Sequence, residues 1–157
     1  MDEKVYDVVA REKPAGTGEL CGLWNSIEVA GLGIGSFFAT MAGVVISEKI
    51  GLKSLFALCA SYTVPWAEKV GCEVLREVGD NGTFYYPKID LLATVVLLRD
   101  TSSLDQADRL AARKIRQLRK NPVQTIQERP PGKKNTVEIH YDLAIPDAKP
   151  EEFSFMN

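Results

Sequence analysis

The sequence lacks the residue combinations that mark the commonest catalytic and metal sites. Among its 157 residues there is one histidine, His140, and there are three cysteines in no metal-ligand spacing. A zinc site and a hydrolase with a histidine base are therefore not expected. The odd cysteine count also argues against a secreted module framed by disulfides, so we expect free thiols, a cytoplasmic location and no metal.

Positive charge is not in excess either. Lys and Arg total 19 against 21 Asp and Glu, which gives a formal net charge of -2. Because nucleic-acid binding relies largely on neutralising phosphates, no nucleic-acid partner is predicted. The basic residues of positions 109–120 are interpreted as the solvated face of a helix. The N-terminus opens with acidic residues and has no long apolar region, which is unlike a signal peptide.

Charged side chains are missing from residues 29–47, a stretch that approaches the roughly 20 apolar residues needed to span a bilayer. The stretch contains several glycines, however, and it is bounded by Glu28 and Glu48 without a basic cluster or an aromatic anchor pair. A membrane anchor is kept as a remote alternative. The favoured interpretation is a glycine-rich turn that leads into a buried helix.

Hydrophobic periodicity and turn residues divide the chain into helices and strands, which predicts an α/β fold. We expect residues 1–18 to be weakly structured, residues 19–146 to form one domain and residues 147–157 to be a flexible tail. The predicted strands are 19–29, 54–60, 72–78, 91–98 and 136–145. The predicted helices are 37–50, one capped by residues 61–63 and ended by Gly71, and one that runs from a capping box at Ser102 or Ser103 to Lys120.

The motif with the clearest chemical meaning is a glycine turn between a predicted strand and a predicted helix. Backbone N–H groups in such a turn and at a helix N-terminus favour a phosphate or pyrophosphate. The dinucleotide fingerprint fails because its third glycine would fall at Ser36, and no Gly-Lys-Ser/Thr follows as in a Walker loop. A turn that serves packing alone is the alternative. The candidate phosphate-binding residues are Gly31, Leu32, Gly33, Ile34, Gly35 and Ser36.

The order of these elements resembles the second half of a GCN5-related N-acetyltransferase (GNAT). That family's turn, Gln/Arg-x-x-Gly-x-Gly/Ala, is similar to residues 30–35, and its next helix motif, Asn-x-x-Ser/Ala-x-x-Leu-Tyr-x-x-x-Gly-Phe, is similar to residues 60–72. Residues 87–124 resemble the insect arylalkylamine (dopamine-type) N-acetyltransferases. The resemblance covers roughly residues 28–143.

The resemblance implies a mixed, mostly antiparallel sheet flanked by helices. It also implies acetyl-CoA as a co-substrate, with its pyrophosphate on residues 31–36 and its pantetheine arm near Thr63. The acetyl group would pass to a small aryl- or alkylamine by direct attack, without a covalent acyl-enzyme.

The chain departs from the family pattern at the positions that would do chemistry. Ala30 replaces the basic or amide residue that opens the turn, and Ala67 stands where a tyrosine often protonates the departing thiolate. Ser61 or Tyr62 is a candidate to replace that tyrosine, although a helix cap is the plainer interpretation. Glu28 is a candidate base, although a surface carboxylate is the plainer interpretation.

Few residues precede the glycine turn, so the chain resembles the C-terminal half of the fold without its N-terminal strands and helices. We therefore expect slow turnover, and self-association or pairing with a full-length homologue. A non-catalytic CoA-binding or dimerising fragment is the alternative function.

Overall fold

The computed structural model describes residues 3–23, 26–29, 31–86, 90–130 and 133–146, and it is an α/β fold as predicted. A short 3-10 helix, Lys13–Ala15, lies between the first helix and the first strand. The elements in chain order are α1 (Lys4–Glu12), β1 (Thr17–Glu19), α2 (Phe37–Lys49), β2 (Ser54–Ala60), α3 (Val64–Lys69), β3 (Glu73–Val74), β4 (Thr83–Tyr85), β5 (Leu92–Leu98), α4 (Arg109–Lys120), β6 (Val123–Glu128) and β7 (Val137–Asp142).

The main sheet has five strands and is mostly antiparallel, which confirms the predicted sheet type. Its order is β1-β2-β5-β3, and β4 pairs with β5 on the same side as β3. β1 and β2 form its parallel pair. β2 and β5 are the apolar runs that the sequence predicts as buried strands, and they pair over most of their length. β6 and β7 form a separate antiparallel pair.

The sheet separates two hydrophobic clusters. On one face, Leu55 and Leu98 pack with α2, α4 and the β6–β7 pair. On the other face, Phe56 and Val95 pack with Val8 of α1. Because successive strand residues point to opposite faces, neighbouring residues of β2 serve different clusters.

The prediction that residues 1–18 are weakly structured is wrong. Val5 and Val8 of α1 are buried against the sheet. Ion pairs join Arg11 of the helix to Glu77 in the turn after β3 at 3.3 Å, and Glu12 to Arg99 just after β5 at 3.1 Å. Valine is a modest helix former, so the segment carries a weak local helix signal. The apolar surface of β2 and β5 gives it a place to pack.

The predicted strand over residues 19–29 is also wrong, because the strand lies earlier and is shorter. β1 covers Thr17–Glu19, and a turn forms near Val29, whose N–H donates to the Ser26 carbonyl at 3.2 Å. The outer edge of β1 pairs with no strand among the described residues. The expected self-association stays a prediction.

Helix α4 begins later than the predicted capping boxes. Asp108 is its N-cap, and the Asp108 carboxylate accepts from the N–H groups of Leu110 at 2.9 Å and Ala111 at 3.3 Å. Ser102 is held by Asp100 instead, and Leu104 adopts a positive φ of 57° in the intervening turn. The predicted strand over residues 72–78 shortens to Glu73–Val74, and β6 was not predicted.

Asp100 fastens the turn after β5 to the segment before β2. Its carboxylate accepts from Lys53 Nζ at 2.8 Å and from the Ser102 N–H at 2.8 Å. These contacts, that with Lys53 above all, hold the pKa of Asp100 well below its usual range.

We predict that Asp100→Asn lowers the free energy of unfolding at pH 7, by about 1 kcal/mol or less because the site is exposed. A lowered folded-state pKa gives stability that is present above the unfolded pKa, about 3.9, and is lost as the pH falls towards the folded value. Urea unfolding of both proteins at pH 7 and at about pH 2.5 should show the difference shrinking. A difference that is equal at both pH values would contradict this assignment.

Candidate functional site

The glycine turn has the backbone that the sequence predicts. Gly31, Gly33 and Gly35 have φ values of 80°, 81° and 56°, a region that residues with a Cβ rarely adopt. α2 follows at once, and the Ser36 carbonyl accepts from the Thr40 N–H at 2.8 Å as the first bond of the helix. The N–H groups of the three intervening residues, 37–39, therefore have no partner within the helix. Such an arrangement favours a negatively charged group.

The glycine turn lies against the connection between β6 and β7. A Cβ built on Gly33 would stand 3.0 Å from Pro130 Cβ and 3.3 Å from Lys133 Cγ. The Lys133 side chain therefore runs beside the turn. Ala30, which lies outside the described residues, brings no basic side chain to this turn. Lys133, about a hundred residues further along the chain, places its side chain there instead.

Helix α3 supports the turn from the side of the sheet. The Trp66 ring centroid lies 5.5 Å from that of Phe37, and a Cβ on Gly35 would stand 3.7 Å from Trp66 Nε1. Lys69 Nζ is 4.4 Å from the Trp66 ring centroid on the same helix. Trp66 therefore has a packing role. Because α3 follows directly after β2, the turn lies near the C-terminal end of that strand.

β1 pairs with β2 over its whole length, but β2 continues beyond the end of β1. β1 pairs with residues 54–56 of β2, and the last bond joins the Leu20 N–H to the Phe56 carbonyl at 2.7 Å. Residues 57–60 have no strand partner on this side within the described ranges. We call the gap the split. On the face of the sheet that carries α1, the split opens into a cavity of about 400 Å³ that reaches across β2 to β4 and β5. The cavity is lined by Glu19, Cys21, Gly22, Leu58, Cys59, Ala60, Tyr86, Leu91, Leu92 and Ala93.

Leu58 presents its backbone to the split. Its partner on β5, Val95, directs both its N–H and its carbonyl away from β2, to Gly82 and Leu75. Leu58 and Val95 are therefore a non-hydrogen-bonded pair, and the Leu58 N–H and carbonyl face the side from which β1 has departed. They find no partner there among the described residues, so the split offers one free donor and one free acceptor.

A second cavity of about 400 Å³ lies between α1 and the sheet, and we call it the α1 groove. Glu19 and Leu58 line both the split and the α1 groove, so the two adjoin. Sequence reasoning missed Glu19, because the predicted strand began there rather than ending there. The other residues that line the α1 groove are Val5, Tyr6, Val9, Thr17, Gly18, Phe56, Ala57 and Val95.

The hydroxyl candidates after β2 do not line the split. Ser61 and Tyr62 lie in an exposed turn, and Tyr62 is 78% exposed. Thr63 is the N-cap of α3, but its hydroxyl donates back to the Ala60 carbonyl at 2.8 Å and caps no N–H of the helix. The predicted side-chain cap is therefore wrong, since the hydroxyl closes the turn behind it.

Glu28 is exposed in the turn before the glycines. A hydrogen bond from the Ser26 side chain lowers the pKa of this carboxyl. Glu28 is not among the residues that line the split or the α1 groove. Its position agrees with the surface interpretation better than with a role as base.

The cysteines are all free thiols. Burial raises the pKa of Cys59, although a hydrogen bond with the Thr63 side chain opposes this. Burial, together with the neighbouring Cys59, raises the pKa of Cys72 to about 12. Both thiols are neutral at pH 7, and Cys72 packs against the hydrophobic cluster on the α2 side of the sheet.

Over the described residues, no helix has the length and apolar character that crossing a membrane requires. Within the same part of the chain, no group of three or more His, Cys, Asp or Glu side chains is arranged to hold a metal ion.

Comparison with known proteins returns no match: no family model, no curated protein and no solved structure corresponds to this chain. The likeness to N-acetyltransferases therefore rests on the motifs in the sequence and on their order.

Proposed function

We propose that this chain binds acetyl-CoA and transfers the acetyl group to the amine of a small aryl- or alkylamine, as a GNAT-like enzyme. The observation that carries the proposal is the split between the parallel strands β1 and β2, with the glycine turn near the same end of β2. A cytoplasmic location, where acetyl-CoA is available, belongs to the same proposal.

The glycine turn would hold the pyrophosphate. The partnerless N–H groups at the start of α2 supply donors, and the helix dipole favours negative charge there. Lys133, which lies beside Gly33, adds a positive charge at the same place. This lysine is our candidate for the side-chain phosphate contact that Ala30 does not provide.

The split would hold the pantetheine arm. The arm is an extended chain with two amide groups, and the Leu58 N–H and carbonyl face the space that such a chain would occupy. An amide that pairs with them would replace the strand bonds that β1 no longer makes. The thioester would then lie near Glu19 at the inner end of the split.

Glu19 is our candidate base. Glu19 lines both the split and the α1 groove, so its carboxylate is placed to attract an ammonium group and accept its proton. The neutral amine nitrogen attacks the thioester carbonyl carbon and the C–N bond forms. The nitrogen then gives up its second proton to water, the C–S bond breaks and the CoA thiolate leaves. Tyr86 lines the same cavity and is the candidate to protonate that thiolate.

The test separates binding from turnover. Acetyl-CoA binding is measured by calorimetry, and transfer is measured with dopamine, serotonin and tryptamine. Glu19→Gln should lower kcat by about 100-fold while the Kd for acetyl-CoA changes little, because a general base typically contributes 10²–10⁴-fold. Glu28→Gln is the matched control and should leave both values unchanged. If acetyl-CoA binds but no amine is acetylated, the non-catalytic CoA-binding alternative holds instead.

A further inference from the structure

The α1 groove continues the path of the split on the other face of the sheet. α2, which carries the phosphate-binding turn, packs on the face of Leu55, whereas the α1 groove is lined by Phe56 and Val95 on the opposite face. A linear thioester that starts at the turn and passes between the strands therefore emerges at Glu19, with the α1 groove ahead of it.

The lining of the α1 groove suits a hydrocarbon chain. Val5, Val9 and Leu58 are apolar, and the Thr17 hydroxyl already accepts a hydrogen bond from Ser54 at 2.8 Å. Glu19, its one charged lining residue, stands at the junction with the split. The hydroxyl or indole group of an amine would find few hydrogen-bond partners deeper in the groove, whereas an alkyl chain needs none.

We propose that the α1 groove binds the acyl chain of the donor, and that the preferred donor is an acyl-CoA with a medium-length chain rather than acetyl-CoA. This inference rests on the proposed function, since it requires the thioester to lie in the split. The chain continues from the carbonyl carbon in line with the pantetheine arm, so it enters the groove directly. The amine then reaches the carbonyl from the side of Tyr86 and Leu92.

The experiment measures the affinity of the whole chain for CoA and for acetyl-, butyryl-, hexanoyl-, octanoyl- and decanoyl-CoA by calorimetry. Burying each added methylene should tighten binding by about two- to fourfold until the groove is full. Val9→Phe fills the groove from α1 and should abolish this gain while leaving acetyl-CoA binding unchanged. Ala10→Phe adds the same ring at an exposed position of the same helix and should keep the gain.

The outcomes distinguish a failure of this inference from a failure of the proposed function. If no CoA compound binds, the proposed function is overturned and this inference with it. If acetyl-CoA binds and chain length has no effect, the inference alone is overturned. The inference alone is also overturned if Val9→Phe leaves the chain-length gain intact. It is likewise overturned if Val9→Phe weakens tryptamine binding to the CoA complex, because the groove would then hold the amine.

Discussion

Gly33→Asp should abolish CoA binding, with a loss of affinity of more than about 100-fold. The carboxylate would stand at the glycine turn, where we place the pyrophosphate, and negative charges at contact distance repel each other. The side chain would also crowd Pro130 and displace Lys133, whose Cγ is 3.3 Å from the Cβ position. Calorimetric titration with CoA measures the effect, and circular dichroism checks that the helices remain.

Gly33→Asn is the matched control for that variant. Asparagine has nearly the same shape as aspartate, and both tolerate a positive φ better than most residues, so the two variants share the same crowding. They differ in charge. We expect Gly33→Asn to retain measurable CoA binding, at least ten times tighter than Gly33→Asp. If the two variants bind equally well, or if both match the parent, the turn has a packing role and holds no phosphate.

Gly79→Ala should destabilise the fold more than any other glycine substitution proposed here, by about 3–4 kcal/mol. Gly79 has a φ of 56°, which costs an L-residue about 1–2 kcal/mol. A Cβ at this position would also overlap the backbone carbonyl of Thr83, whose oxygen accepts from the Asp80 N–H at 2.8 Å. Since that carbonyl belongs to β4, the overlap cannot be relieved without shifting the strand.

Gly22→Ala distinguishes the cost of a positive φ from the cost of the overlap with β4. Gly22 has a φ of 69°, and a Cβ there would meet no atom of the described residues within 4 Å, its chain neighbours aside. Its destabilisation should therefore be the conformational cost alone, about 1 kcal/mol. Urea unfolding of both variants measures the difference. Equal destabilisation would show that the turn at Gly79 moves freely, contrary to its packing against β4.

The sequence predicted the elements whose signal is local. The runs that form β2 and β5 are continuous apolar segments, and α2 is an apolar helix that follows a glycine turn, so neighbouring residues suffice to identify each of them. α1 and β6 were missed for a different reason. Valines in α1 and an alternating polar pattern in β6 become a helix and a strand when they pack on partners far along the chain.

The candidate site likewise contains residues with a local sequence signal and residues that matter through distant contacts. The glycine turn was predicted because a backbone with positive φ angles favours glycine, and the glycines are visible in the sequence. Glu19 and Lys133 were not found, because the first matters through the departure of β1 from β2 and the second through a contact with Gly33. Ser61, Tyr62 and Glu28 were proposed from sequence order, and the structure leaves each of them outside the split.

The contact between Gly33 and the β6–β7 connection links ligand affinity to the order of the C-terminal strand pair. Pro130 and Lys133 reach the turn because β6 and β7 pair along their whole length. The Lys49 ammonium group of α2 holds this pair in place by donating to the Leu143 carbonyl at 3.0 Å. A bound phosphate would therefore stabilise the closed form of this pair. We expect the amide hydrogens of β6 and β7 to exchange more slowly when the glycine turn holds a ligand, although the turn is about a hundred residues away in the sequence.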